Sequence, residues 1–311
     1  MINFQQNGLV IAAIPEDLEM PGYLEMVGQL GSKLKCQVDL VHAVEPVNDY
    51  YVASMYGMTG IQSELILEIE KDRVELIKKK LDLIFSRLNK SVFRSLKVMV
   101  GAPDTVVVDY AKAQNAQAIV CGASPKSYQY VLSSMSHTLS LINNAFCPVI
   151  VIPGGAAFSK KPGQLSFLLA DDLGEGSKPA LVFTHRTQRA YPDALIHHAH
   201  VVKNYLQFSS EQSVKVLGEA PSEKTVQARI ENALATRFGL MDELSKPEGK
   251  YMRHVAFGEV PKELGGLAEK FDVDFVVFGP HHLIKHKPFG FGSVSWTEML
   301  HASRPVIVVP G

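Results

Sequence analysis

The chain has 311 residues, which suits two cores of ordinary size better than one. Its 46% hydrophobic and 20% charged content is that of a globular protein, and a net charge of −1 gives no long-range attraction to nucleic acid or an anionic membrane. No apolar run is long enough to span a bilayer and the start MINFQQNGLVIAAIPED lacks a charged leader, so the expectation is a cytoplasmic protein with neither nucleic acid nor membrane as partner.

Leu9 to Ala13 is a short apolar run closed by Pro15 and reads as a buried parallel strand. Tyr23 to Leu34 has helix-spaced apolar positions, Val38 to Val44 is strand-like, and Glu45 to Gly60 reads as a loop. From Ile61 to Leu88 apolar residues recur at three and four with Glu and Lys between them, which predicts a long amphipathic helix. Then follow a strand at Lys97 to Val100, a helix from Pro103 to Gln114, a strand at Ala118 to Cys121, a helix at Ser134 to Asn144 and a strand at Val149 to Ile152. The three cysteines, Cys36, Cys121 and Cys147, sit in or beside these apolar segments without CxxC spacing and read as reduced core residues.

Gly154 to Gln164 is small, polar and rich in breakers, as a linker is. The order then begins again. Strands are expected at Phe167 to Ala170, Leu195 to Val202, Met252 to Phe257, Phe275 to Phe278 and Val306 to Val309. Helices are expected at Lys178 to Ala190, Lys224 to Leu240, Pro261 to Phe271 and Ser293 to His301. Gly101 to Gly122 and Gly258 to Gly279 both span 21 positions, and Gly122 to Pro148 and Gly279 to Pro305 both span 26. One offset of 157 carries GAPDTVVVDYA onto GEVPKELGGLA and CPVIVIP onto RPVIVVP, the mark of an internal duplication.

The expected fold is α/β: two tandem doubly wound five-stranded parallel-sheet domains of strand order 3-2-1-4-5, at 1–153 and 165–311, with a linker at 154–164. In that order VIVIP and VIVVP are bare apolar sheet edges. They are expected to meet across a pseudo-two-fold axis, so that one chain imitates a dimer. Ligands of such sheets bind beyond the C-terminal strand ends, where the winding reverses. The loops after Ala170, Val202 and Gly279 and the helix start at Ser293 would converge there.

This pattern resembles the universal stress proteins in their tandem form. The resemblance covers nearly the whole chain and rests on LLADDLGEGS, the strand ending HVV at His200 to Val202, the helix after Gly258, the strand FVVFG and the closing RPVIVVP. Members of that family that bind ATP carry a loop G-x2-G-x9-G-[ST] after the fourth strand. Carried over, the resemblance gives Asp172 to adenosine and the backbone of Val201 to the base. It makes Gly279 the first loop glycine, Gly292 the last and Ser293 the hydroxyl after it. The sequence departs at His282, which stands at the middle glycine and can block the phosphates or contact them. In the N-terminal half Pro15 replaces the Asp, Pro125 the middle glycine and Met135 the last glycine, although Ser136 remains. No nucleotide is expected there; ATP or AMP is the expected ligand of the C-terminal half.

Other readings stay open. Ser293 also suits a plain helix N-cap, and Lys285, His286 and Lys287 suit a solvated loop. Strand alternation sends His198 and His200 to one face and His197 to the other, and with His281, His282 and His286 on a loop no metal site is expected. No G-x-S-x-G elbow or G-x4-G-K-[ST] loop is present, so no catalytic residues are expected. The implied function is a non-catalytic stress-response sensing or adaptor module that binds an adenine nucleotide. The alternatives are a nucleotide-free member acting through protein contacts or another small ligand, and a slow ATP hydrolase. A homodimer of the whole chain is compatible with each.

Overall fold

The computed structural model describes residues 3–15, 22–46, 63–123, 131–161, 163–203, 222–239, 250–279 and 302–311. The N-terminal half runs β1 (Leu9–Ala13), α1 (Tyr23–Lys33), β2 (Gln37–Val44), α2 (Ser63–Ser86), β3 (Phe93–Val100), α3 (Pro103–Ala113), β4 (Ala118–Ala123), α4 (Val131–Asn144) and β5 (Val149–Pro153). The C-terminal half repeats it with β6 (Ser166–Ala170), a one-turn 3-10 helix (Glu175–Ser177), α5 (Lys178–Ala190), β7 (Leu195–Val202), α6 (Glu223–Gly239), β8 (Tyr251–Phe257), α7 (Val260–Lys270), β9 (Phe275–Phe278) and β10 (Val306–Val308). The helix expected at Ser293 to His301 lies outside the described residues.

The strands form one ten-stranded sheet ordered β3-β2-β1-β4-β5-β10-β9-β6-β7-β8. Within each half the pairs are parallel in the expected 3-2-1-4-5 order, and at the seam β5 and β10 pair antiparallel. Their register, Val149 with Val308, Ile150 with Ile307 and Val151 with Val306, is symmetric about the Ile150–Ile307 pair. The two expected edges therefore cover each other, as the sequence pattern predicts. Strand β3 begins at Phe93, earlier than Lys97, because Phe93 enters the core and the β2 pairing shifts register between Val38 and Asp39.

Alternate strand residues feed two cores. Val10, Ala12, Ile150, Ile152, Phe167, Leu169, Phe275, Val277 and Ile307 pack under α1, α2, α5 and α6. Ile11, Val149, Val151, Leu168, Val276, Phe278, Val306 and Val308 pack under α3, α4 and α7. Each core draws on both halves, so the seam is continuous with the interior rather than a contact between finished surfaces.

Backbone geometry repeats with the sequence. Gly101 and Gly258, both ending a strand before a helix, have φ of 145° and 148°, where a side chain would be strained. Asn115 and Asp272, 157 positions apart, both take left-handed φ, 52° and 51°, just past α3 and α7. His42 Nδ1 donates to the Ile14 carbonyl at 3.2 Å, and His200 Nδ1 donates to the Asp171 carbonyl at 2.7 Å.

Side chains and the chain after β5 cross the seam at several places. The Phe4 ring meets Phe183 edge-on at 4.9 Å, and the Phe4 N–H donates to Thr187 Oγ1 at 3.3 Å. Tyr191 Oη donates to the Leu34 carbonyl at 2.5 Å. After β5 the chain is tied to the C-terminal half: Ser159 Oγ and Arg304 Nη2 both donate to Asp272, at 3.0 and 2.8 Å. Asp274, fully buried, accepts from the N–H groups of Ser159 (3.1 Å) and Ser166 (2.9 Å) and from the Lys33 ammonium of α1 (2.8 Å).

Removing that carboxylate would leave two buried N–H groups and a half-buried cation without their acceptor. Asp274→Ala is expected to cost about 3 kcal/mol, read as a lowered urea midpoint with unchanged slope. An unchanged midpoint would show the pair to be dispensable.

Candidate functional site

The C-terminal ends of β6, β7 and β9 lie side by side. Ladder geometry decides what they present. The Ala199 carbonyl accepts from Asp171 N–H at 2.9 Å, and the Val202 carbonyl accepts from Gly258 N–H at 3.2 Å. Successive residues of a strand turn their peptide groups to opposite neighbours, so Val201 shares the β6 side with Ala199. But β6 ends at Ala170. The Val201 N–H and C=O thus lie on the β6 side, past the last paired residue of that strand.

The loop leaving β6 carries two adjacent carboxylates with opposite fates. Asp172 is exposed, and its Oδ1 accepts from Gly174 N–H at 3.0 Å. Asp171 is buried at 4% exposure beneath α5 and α6. Its Oδ1 accepts from Leu173 N–H (2.7 Å) and Ser177 Oγ (2.5 Å), and its Oδ2 from His198 Nε2 (3.0 Å) and Arg237 Nε (2.9 Å). Arg237 also donates to the Leu173 and Gly174 carbonyls, at 3.2 and 2.8 Å, and to Ser177 Oγ at 3.0 Å. His198 Nδ1 meets Tyr251 Oη at 2.7 Å, and Tyr251 stacks on Phe238 at 4.1 Å.

Burial alone would raise the Asp171 carboxyl, but the hydrogen bonds of His198 and Ser177 outweigh it and hold it well below the carboxylate range. Burial lowers His198 more than Asp171 raises it, so the imidazole is neutral. It then donates Nε2–H to Asp171 and accepts from Tyr251. In the sequence Asp171 and Asp172 are alike, and no local pattern marks Arg237 as the partner of either. The available signals were the DD pair and the placing of His198 on the face of His200.

Gly279 ends β9 directly against this loop: a Cβ built there would lie 2.2 Å from the Gly176 carbonyl oxygen. His282, Gly292 and Ser293 lie outside the described residues, as do Lys285, His286, Lys287 and Pro125 and the side chains of Met135 and Ser136. The structure thus brings Asp172, Val201 and Gly279 to one end of the sheet. His197 faces the other core as alternation requires, stacked on Phe271 at 4.4 Å with Nδ1 2.9 Å from His254 Nε2. Among the described residues no group of three or more His, Cys, Asp or Glu is placed to hold a metal ion, and no helix is long and apolar enough to cross a membrane.

The model of the universal stress protein family matches residues 17–153 and again residues 166–310. The chain belongs to the universal stress protein family. Among solved structures it is similar to a universal stress protein from Archaeoglobus fulgidus, at TM-score 0.58 and 13% identity, covering 99% of this chain and 98% of that one. A functionally unknown protein from Pseudomonas aeruginosa gives 0.53 and 12%, covering 99% and 94%. At such identities the likeness speaks to fold alone. No protein of curated function matches the chain.

Two outcomes follow for this tandem universal stress protein. Gly279→Ala would drive a methyl group into the Gly176 carbonyl and is expected to cost about 2 kcal/mol in a urea titration. Burial pushes His197 from 6.5 to about 4, so the folded protein binds fewer protons than the unfolded chain in that window. Stability is then complete above pH 6.5 and declines as pH falls toward 4. His197→Phe should flatten that decline in urea midpoints taken across the range, and an equal slope in both proteins would show the acid loss to come from elsewhere.

Proposed function

We propose that the chain is a non-catalytic, cytoplasmic stress-response module of two domains, 1–153 and 165–311 joined by 154–164, whose C-terminal domain binds ATP or AMP. The observation that carries this reading is the Val201 peptide. Its N–H and C=O lie on the β6 side past the last residue of that strand, a donor and an acceptor presented side by side as a base edge would use them. In this mode the base pairs with Val201 and Asp172 takes the ribose or adenine side. Gly279, Gly292, Ser293 and the imidazole of His282 line the path of the phosphates. The N-terminal half, with Pro15 where Asp172 stands, binds none and serves as the fixed partner of the sheet.

Calorimetry of the intact protein with ATP, ADP and AMP tests this. One site per chain is expected, with Asp172→Ala weakening binding at least about tenfold, since a hydrogen bond to a charged group is lost. No heat at millimolar nucleotide would sink the reading. A second reading has its own support, in that the close fit of Gly279 against Gly176 explains this glycine without a ligand. On that reading the module is nucleotide-free and works through protein contacts or another small ligand.

A further inference from the structure

The two halves offer an internal comparison at the Asp171 network. Ile14 N–H donates to the Val41 carbonyl at 2.8 Å as Asp171 N–H donates to that of Ala199 at 2.9 Å, so Ile14 and Asp171 occupy the same rung of the duplicated sheet. The histidine bonds to the carbonyls of these two residues confirm the match. From that rung the neighbours follow. Leu40 precedes Val41 as His198 precedes Ala199, and Phe93 pairs with Val38 as Tyr251 pairs with Ile196. In the N-terminal half Ile14, Leu40, Leu81 and Phe93 are all buried in one apolar cluster. Lys80, 157 positions before Arg237, is exposed.

The fold therefore does not require the buried ions. An apolar filling of the same place works in the same chain, and exchanging a buried ion pair for apolar groups is commonly neutral or stabilising. What the C-terminal half gains is the hold of one guanidinium on a turn. Arg237 reaches from α6 to a carboxylate, two backbone carbonyls and a hydroxyl, all within Asp171–Ser177. That turn carries Asp172 and rests on Gly279. Only a planar, five-donor cation can satisfy so many acceptors at once.

We propose that Arg237, seated by Asp171 and His198, is a positioning residue of the ligand site, fixing the Asp171–Ser177 turn so that Asp172 and the Gly279 backbone stand in register for a nucleotide. This rests on the nucleotide reading above. Arg237 touches the turn and not the ligand, so it acts on affinity through geometry alone.

The test makes the network apolar in the intact protein, with Asp171→Ile and His198→Leu taken from the N-terminal half and Arg237→Met as an uncharged side chain of similar length, beside the single change Arg237→Lys. Three readouts are taken: thermal midpoint, amide hydrogen exchange at Leu173 and Gly174, and calorimetric affinity for ATP. The triple variant is expected to melt within a few degrees of the wild type, to exchange at the turn at least about tenfold faster and to bind ATP at least about tenfold more weakly. Arg237→Lys, which keeps the charge and is the milder change, should fold and show the same two effects in smaller measure. Equal ATP affinity in both variants, or turn amides as protected as in the wild type, would overturn the proposal. Failure of the underlying reading looks different, because the wild-type protein itself then takes up no nucleotide.

Discussion

The antiparallel contact between β5 and β10 is the constraint on which the rest depends. Each half taken alone would end its sheet in a bare apolar strand, VIVIP or VIVVP, with a row of unpaired peptide groups. Pairing the two removes both liabilities at once, in a register symmetric about Ile150 and Ile307. A slip of one residue would turn Ile150 and Ile307 out of one core and the flanking valines out of the other. The seam thus aligns two cores across the whole sheet. The crossings at Phe4, Tyr191 and the Lys33–Asp274 pair then hold helices that the strands have already brought together.

On this frame the halves have kept the backbone and exchanged side chains. The left-handed residues after α3 and α7, the positive-φ glycines and the histidine-to-carbonyl bonds recur in pairs. The buried polar groups do not. Asp39 in the N-terminal half is held by the Arg94 guanidinium and the Tyr110 hydroxyl, whereas His197, at the corresponding place in β7, lies in a stack with His254 and Phe271. On the opposite face the N-terminal half is apolar where the C-terminal half is ionic.

Much of the architecture was legible because it follows from periods and repeats. The offset of 157, the apolar strand runs and the edge character of the closing strands lead directly to the sheet order and the seam, and the period of two separated His197 from His198. The site was less legible. Asp171 and Asp172 are chemically identical in the sequence, and the choice of which turns inward is made by His198 and Arg237, far along the chain. Likewise Gly154 to Gln164 has the composition of a free linker, but Ser159 and Lys160 are pinned by Asp272, an acceptor that no local pattern announces.

The electrostatics of the Asp171 network explain why it stands or falls as a unit. With His198 neutral, the buried charges are the Asp171 carboxylate and the Arg237 guanidinium, and they cancel. Every acceptor position of the carboxylate is used, two by the turn itself and two by side chains from β7 and α6. Taking away Arg237 alone would strand a carboxylate at 4% exposure, and taking away Asp171 alone would strand a cation among carbonyls and hydroxyls. Intermediate compositions are therefore worse than either end state. The chain displays both ends, the full network in one half and a wholly apolar cluster in the other. The apolar cluster shows that the strands and helices around it close without buried ions, so what the ionic network adds is its set of bonds to the Asp171–Ser177 turn.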